Sequence, residues 1–134
     1  MKTLKDIETE LKAPFSANQI NWRKGGGNVT LAYLDARNVM QRLDQVVGPN
    51  NWQEHYVEFN DRIICELSIR LDGEWITKSD GSGDTKIESE KGGISSAFKR
   101  AAVKFGIGRY LYYLPKSATA QNMPAWALPK PKGE

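Results

Sequence analysis

The sequence feature that most constrains the fold is the stretch RIICELSIRL, residues 62–71. Apolar side chains recur at every second position and charged side chains lie between them, which is the pattern of a β-strand with one buried face. The apolar set is Ile63, Cys65, Leu67, Ile69 and Leu71, and the charged set is Arg62, Glu66 and Arg70. Asp72-Gly73 follows directly and is typical of a two-residue hairpin turn. The stretch therefore predicts a strand of an antiparallel sheet.

Two neighbouring segments complete this sheet. WQEHYVEF, residues 52–59, precedes the strand and is joined to it by the turn Asn60-Asp61. EWITKSD, residues 74–80, follows the hairpin turn as a third strand. Together the three segments predict an antiparallel meander.

Apolar residues spaced by three and four positions predict three helices. The first covers residues 2–12, the second runs from an Asp35 N-cap to Gly48-Pro49, and the third spans about residues 89–105. VTLAY, residues 29–33, adds a strand before the second helix. The predicted fold class is α+β, with an antiparallel sheet packed against helices in the order helix, strand, helix, three strands, helix.

Size and composition indicate one intracellular domain. The chain has 134 residues, and no apolar run approaches the roughly 20 residues of a membrane span. We expect residues 1–115 to form the domain and residues 116–134 to form a flexible, Pro- and Ala-rich basic tail. The single cysteine, Cys65, lies in the alternating strand, which predicts a buried, unreactive thiol in a reducing compartment.

Charge is distributed unevenly along the chain. Residues 91–134 carry eight basic residues and one acidic residue, a net charge of +7, whereas the first 90 residues carry eleven basic and fifteen acidic residues, a net charge of −4. A basic C-terminal third on an acidic body is compatible with a surface that faces a polyanion. It is equally compatible with a solvated basic face and tail.

The third predicted helix combines a buried face with a cation pair. Lys99 and Arg100 lie beside the apolar face, and no acidic residue occurs between Lys91 and Glu134 to pair with them along the helix. This favours a phosphate-facing helix over a solvated flank. The apolar face consists of Ile94, Ala97, Phe98, Ala101, Ala102 and Phe105, and we also assign Trp52 and Trp75 to the core.

RKGGGN, residues 23–28, joins two cations to three glycines. Glycine N–H groups can approach a phosphate closely because no Cβ intervenes, although a mobile hairpin tip has the same composition. The chain has no GxxxxGK[ST] motif, so nucleotide hydrolysis is not predicted. Aromatic residues that could stack on bases, worth about 1–3 kcal/mol each, are Tyr33, Tyr110, Tyr112 and Tyr113.

The acidic residues before the third helix leave a metal-dependent nuclease as an alternative. Asp80, Asp84, Glu88 and Glu90 lie in one polar segment, but the chain has one histidine, His55, in a predicted strand. A solvated loop and a structural histidine are the favoured interpretation. We therefore predict no catalytic residue, no metal site and no enzymatic activity.

Two longer stretches resemble a known family. RKGGGNVTLAYLDARNVMQRLDQVVGPNNW and GISSAFKRAAVKFGIGRYLYYLP resemble the core of the Rad52-type single-strand annealing proteins, and among these the short phage annealases of the Sak type. The resemblance covers roughly residues 15–115. It implies a protein that binds single-stranded DNA and anneals complementary strands in recombination and repair, without ATP or another cofactor. It also implies a homo-oligomeric ring with DNA in a basic groove.

The resemblance also implies which residues contact DNA. The arginine before the glycines is Arg23, the tyrosine after the strand is Tyr33, and the helix pair is Lys99-Arg100. Lys24, Arg37, Lys104 and Arg109 complete the set of candidate DNA-binding residues. Some relatives carry a further arginine where this chain has Val103. The loop before the third helix is also shorter here than in the eukaryotic members, where it carries part of a second, outer DNA site, so the resemblance does not extend to that site, and Lys86 is only a candidate substitute.

The same resemblance suggests the cellular setting. It implies a cytoplasmic protein of a bacterial or phage-infected cell, associated with the nucleoid and not with a membrane. A single-strand-binding protein and an exonuclease are candidate partners.

A double-stranded RNA-binding module is the alternative function. Residues 35–105 have that module's order of helix, three strands and helix, and KRAAVK is similar to its basic helix motif. In that module, however, the lysines belong at the start of the helix, and the segment from Arg23 to Tyr33 has no role.

Overall fold

The computed structural model describes residues 2–27, 29–82 and 93–130. Within these ranges the chain forms helices α1 (Leu4–Lys12), α2 (Ala36–Val46) and α3 (Gly93–Lys104). The strands are β1 (Ile20–Lys24), β2 (Thr30–Leu34), β3 (Trp52–Phe59), β4 (Arg62–Leu71) and β5 (Glu74–Gly81). The predicted α+β class is confirmed. The predicted first turn of the third helix, residues 89–92, lies outside the described residues.

The three-stranded sheet has the order β3-β4-β5, and both neighbouring pairs are antiparallel. Its two turns have positive φ at both central residues: 50° and 63° at Asn60 and Asp61, and 50° and 84° at Asp72 and Gly73. Such turns match the right-handed twist of the strands they connect. The meander predicted from the alternation is confirmed.

The core lies between this sheet and the helices. Cys65, Leu67 and Ile69 of β4 are fully buried, and Ala97 and Phe98 of α3 belong to the same apolar cluster. Helices α1 and α2 contribute the buried residues Ile7, Leu11, Val39 and Leu43. Burial raises the pKa of the Cys65 thiol to about 11, so the predicted buried, unreactive thiol is confirmed.

Two core assignments from the sequence were wrong. Trp75 is 42% exposed because it lies opposite Arg70 on the outer face of the sheet, where the Arg70 guanidinium stacks 5.1 Å from the ring centroid. Ile94 is 57% exposed, so the predicted apolar stripe of α3 is buried only from Ala97 onward.

A second sheet consists of the hairpin β1–β2, in which Arg23 lies opposite Leu31. Strand β1 was not predicted, because INWRK has only two apolar residues and no clear alternation. Its core-facing residue Ile20 is nevertheless buried, as is Leu34 opposite it. The order of elements is as predicted, with this one strand added.

The chain leaves α3 through two glycines in left-handed conformations, Gly106 with φ 103° and Gly108 with φ 75°. A Cβ on Gly106 would lie 2.6 Å from Cγ of Lys12, and one on Gly108 would lie 2.9 Å from Cδ1 of Leu34. The chain therefore turns sharply after α3. This turn lets α1 and the hairpin approach the end of α3 closely.

The described part of the predicted tail, residues 116–130, contacts the body of the domain. Ala118 and Ala127 are buried, and Thr119 and Asn122 form an antiparallel bridge. The domain boundary after residue 115 stays a prediction. No helix in the described ranges is long and apolar enough to span a membrane.

Candidate nucleic-acid interface

A cleft of about 480 Å³ is lined by the β1–β2 hairpin, by α3 and by residues 107–118. We call it the basic cleft, after the side chains of Arg23, Lys99 and Arg100 that line it together with Tyr33. These four residues come from three separate elements, and the fold brings them together. They are the four that the family resemblance singled out.

Tyr33 on β2 lies at the centre of this group. The Arg23 guanidinium carbon is 6.0 Å and the Lys99 Nζ is 5.4 Å from the centroid of its ring. The negative face of an aromatic ring attracts cations over these distances. One half-buried ring therefore orients two cations from distant parts of the chain.

Lys99 is partly buried, with one negative and one positive charge near it. Partial burial lowers the pKa of its ammonium group, the Asp35 carboxylate opposes this effect, and the nearby charge of Arg23 adds to it. A bound anion would favour the charged form of Lys99. Lys99 is therefore a suitable ligand for phosphate.

Arg100 has an acidic partner that its own helix does not supply. Its Nε is 3.7 Å from Oδ1 of Asp80, which lies on β5. Sequence reasoning considered partners along the helix and missed this one, because the pairing of Arg100 with a strand depends on how α3 packs on the sheet. The side chain of Arg100 is still 52% exposed and can reach a ligand.

The glycine segment forms the open tip of the hairpin. Gly25 N–H donates to the Val29 carbonyl at 2.8 Å, and Gly27 has φ 69°. Among the described residues, no atom lies within 4 Å of the Cβ positions of Gly26 and Gly27. Lys24 is exposed beside this tip and, by strand alternation, points to the face opposite Arg23.

Three other candidate cations do not line the basic cleft. Arg37 is exposed in the first turn of α2. Lys104 donates to the carbonyl of Ser79, and Arg109 donates to the carbonyls of Val103 and Lys104 at 3.0 and 2.9 Å, so Arg109 caps the end of α3. Lys104 and Arg109 line a separate cleft of about 300 Å³ with Lys5, Glu8, Lys12 and Lys78.

The tyrosines that follow α3 divide into two groups. Tyr112 lines the basic cleft and is 69% exposed, and Tyr113 is 72% exposed, so both can stack on bases. Tyr110 instead accepts a hydrogen bond from the Phe15 N–H at 2.8 Å, and burial raises the pKa of its phenol. Tyr110 therefore connects two parts of the fold.

Trp22 and Lys116 are among the residues of the basic cleft that sequence reasoning missed. Within the described residues the buried indole Nε1 of Trp22 has no hydrogen-bond partner. Its position directly before Arg23 was the available signal. Lys116 gave none, because it is a single lysine at the start of a Pro- and Ala-rich segment.

The described residues hold no group of three or more His, Cys, Asp or Glu side chains arranged to bind a metal ion. Asp80 accepts a hydrogen bond from the Gly81 N–H and contacts Arg100, and His55 lies 4.0 Å from Glu66 on the sheet. The other residues of the alternative acidic site, Asp84, Glu88 and Glu90, lie outside the described residues, and so does Lys86.

These features define an α+β domain with a cationic, aromatic cleft suited to a polyanion that carries bases. The family model "Rad52/22 family double-strand break repair protein" matches residues 3–126. The chain belongs to the Rad52/22 family, and the resemblance read from the two motifs is confirmed.

Two curated relatives extend this comparison. The chain is 34% identical to the single-stranded DNA-binding protein DdrA of Deinococcus deserti, over 94% of this chain and 72% of the relative. It is 32% identical to the single-stranded DNA-binding protein DdrA of Deinococcus radiodurans, over 94% of this chain and 69% of the relative. Both relatives are named for binding single-stranded DNA.

Proposed function

We propose that this protein binds single-stranded DNA and anneals complementary strands in homologous recombination and DNA repair, without ATP and without catalysis. The observation that carries the proposal is the convergence of Arg23, Tyr33, Lys99 and Arg100 in the basic cleft. Membership of the Rad52/22 family and the names of the two relatives support it.

The cleft suggests how annealing proceeds. Lys99 and Arg100 sit on a helix anchored in the core, so they hold phosphates at a fixed spacing. Contacts to phosphate give affinity without sequence preference. The exposed ring of Tyr112 offers a surface on which a base can stack. Base edges that are not engaged by the protein can then test a second strand, and base pairing supplies the specificity.

We also propose that copies of the chain assemble into a ring. The basic cleft of one copy offers Arg23, Lys99, Arg100 and Lys116, which is few cations for a tight complex with a flexible polyanion. Adjacent copies would continue the cleft and multiply the contacts. The protein would act in the cytoplasm of a bacterial or phage-infected cell, with a single-strand-binding protein or an exonuclease as candidate partners.

The double-stranded RNA alternative gains no support. It left Arg23 and Tyr33 without a role, yet both lie in the same cleft as the helix pair. Readout of A-form duplex also relies on contacts across a wide minor groove, not on splayed bases.

The test is annealing of two complementary fluorescent oligonucleotides without ATP. We expect wild-type protein to accelerate annealing and the Lys99→Ala/Arg100→Ala double variant to lose most of the acceleration, because two phosphate contacts worth roughly 1–3 kcal/mol each are removed. Lys5→Ala is the control, since Lys5 is an exposed lysine of α1 that lies outside the basic cleft and is not among the candidate DNA-binding residues.

Equal annealing by the Lys99→Ala/Arg100→Ala variant and the Lys5→Ala control would show that the basic cleft is not the DNA site. If wild-type protein does not accelerate annealing, the proposed annealing function is wrong. Stronger competition by duplex RNA than by single-stranded DNA would bring back the alternative.

A further inference from the structure

Arg100, one of the two cations of the α3 pair, contacts an acidic residue within the protein itself. Nε of Arg100 lies 3.7 Å from Oδ1 of Asp80, whose side chain is 29% exposed. Asp80 lies opposite Cys65 in the sheet register, on the face against which α3 packs. The same Oδ1 accepts a hydrogen bond from the Gly81 N–H at 2.8 Å, so the carboxylate is held in place.

The contact between Asp80 and Arg100 is one that a phosphate can replace. At 3.7 Å it is longer than the roughly 2.8 Å of a charge-assisted hydrogen bond. A partly exposed pair of this kind is weak, because water and salt screen it. A phosphate offers the guanidinium two oxygens in a planar, bidentate arrangement, which is the stronger interaction.

We propose that Asp80 is a built-in counter-ion of the basic cleft, whose carboxylate competes with DNA phosphate for Arg100. This inference rests on the proposed function. Asp80 acts through Arg100 and is therefore a positioning residue. When a phosphate binds Arg100, the guanidinium leaves the Asp80 carboxylate. When the phosphate leaves, the guanidinium returns to the carboxylate and again has an acidic partner.

This exchange suits an annealing protein. Two strands find their register only if the bound strand can shift, and each shift requires phosphate contacts to break and form again. A carboxylate that replaces the phosphate lowers the free-energy cost of each break. Asp35 provides a second negative charge next to Lys99, so both cations of the pair have an acidic residue near them.

The test is the affinity of Asp80→Asn for a single-stranded oligonucleotide across a range of salt concentrations, measured by fluorescence anisotropy. Asparagine keeps the shape of the side chain and an oxygen for the Gly81 N–H. We expect affinity at low salt to rise by about two- to fivefold. We also expect the plot of log affinity against log salt to steepen by up to about 0.7, because no freed carboxylate takes up a cation when DNA binds.

Two further variants isolate the mechanism. Glu74→Gln removes the same charge at the exposed start of β5 and should behave as wild type. In an Arg100→Gln background, Asp80→Asn should have no effect, because the two residues act as one unit. Thermal unfolding of each variant identifies any loss of folded protein.

The outcomes separate this inference from the proposed function. If wild-type protein does not bind single-stranded DNA, the proposed function fails. If wild-type protein binds and folded Asp80→Asn binds equally or more weakly, the counter-ion inference alone is overturned. An equal gain of affinity in the Arg100→Gln background would also overturn it, because the charge would then act without Arg100.

Discussion

At the scale of single residues, Tyr33 combines a predicted DNA contact with a structural role. Its ring lies near both Arg23 and Lys99, at 6.0 and 5.4 Å from the centroid. A residue identified by resemblance as a DNA contact thus also has a structural role. It orients the cations that would bind phosphate.

Two substitutions at Tyr33 test the contributions of its ring and its hydroxyl separately. Tyr33→Leu should weaken binding of single-stranded DNA by about 1–3 kcal/mol, because both the stacking surface and the support for the two cations are lost. Tyr33→Phe keeps the ring and should bind within about twofold of wild type. Fluorescence anisotropy measures both affinities. Equal losses in the two variants would mean that the hydroxyl, not the ring, makes the contact.

Other residues have structural partners that local patterns do not reveal. Arg42 counts in the sequence as one more polar residue of a helix, yet its Nη1 donates to the carbonyls of Glu10, Leu11 and Ala13. Its guanidinium carbon also lies 3.9 Å from the centroid of Phe15. It thereby joins α2 to the end of α1.

At the scale of elements, the end of α3 decides which cations reach the basic cleft. The helix presents Lys99 and Arg100 to the cleft, while Lys104, one turn after Arg100, contacts the sheet. Arg109 then folds back onto the last carbonyls of the helix, where a positive charge is favourable. Helix geometry places Lys104 one turn beyond Arg100, where it meets the sheet, and the turn at Gly106 places Arg109.

The turn after α3 gives a prediction about stability. Gly106→Ala should lower the free energy of unfolding by about 1–3 kcal/mol, because φ is 103° and the new Cβ would lie 2.6 Å from Lys12 Cγ. Gly26→Ala is the control, since in the part of the chain that the structure describes no atom lies within 4 Å of that position. Urea unfolding followed by circular dichroism measures both. A Gly106→Ala variant as stable as wild type would show that the turn relaxes without cost.

At the scale of the whole molecule, the oligomeric state is the property with the greatest consequence for function. A monomer of 15.1 kDa offers one basic cleft, and the proposed ring would offer a continuous series. We expect light scattering to give a mass that is a multiple of 15.1 kDa, in the presence or absence of single-stranded DNA. A monomer under both conditions would contradict the ring and leave the basic cleft as an isolated site.

Much of the fold could be predicted because its signals are local. The alternation in residues 62–71 and the turns at Asn60-Asp61 and Asp72-Gly73 specified the meander without reference to the rest of the chain. Strand β1 could not be predicted in this way, because it exists through its pairing with β2. Trp75 was misassigned for a related reason: its hydrophobicity is local information, but the face it occupies depends on the register of β5.

The candidate site, like the fold, depends partly on local spacing and partly on tertiary packing. The sequence by itself determined that Lys99 and Arg100 lie together beside the apolar face of one helix, because helical spacing is a property of neighbouring residues. Only the tertiary structure decided that Arg23 and Tyr33 meet this pair, that Asp80 pairs with Arg100, and that Arg109 caps a helix. Those contacts join segments far apart in the chain. Their distances are therefore set by how the hairpin, the sheet and α3 pack around a common core, and no local pattern encodes that packing.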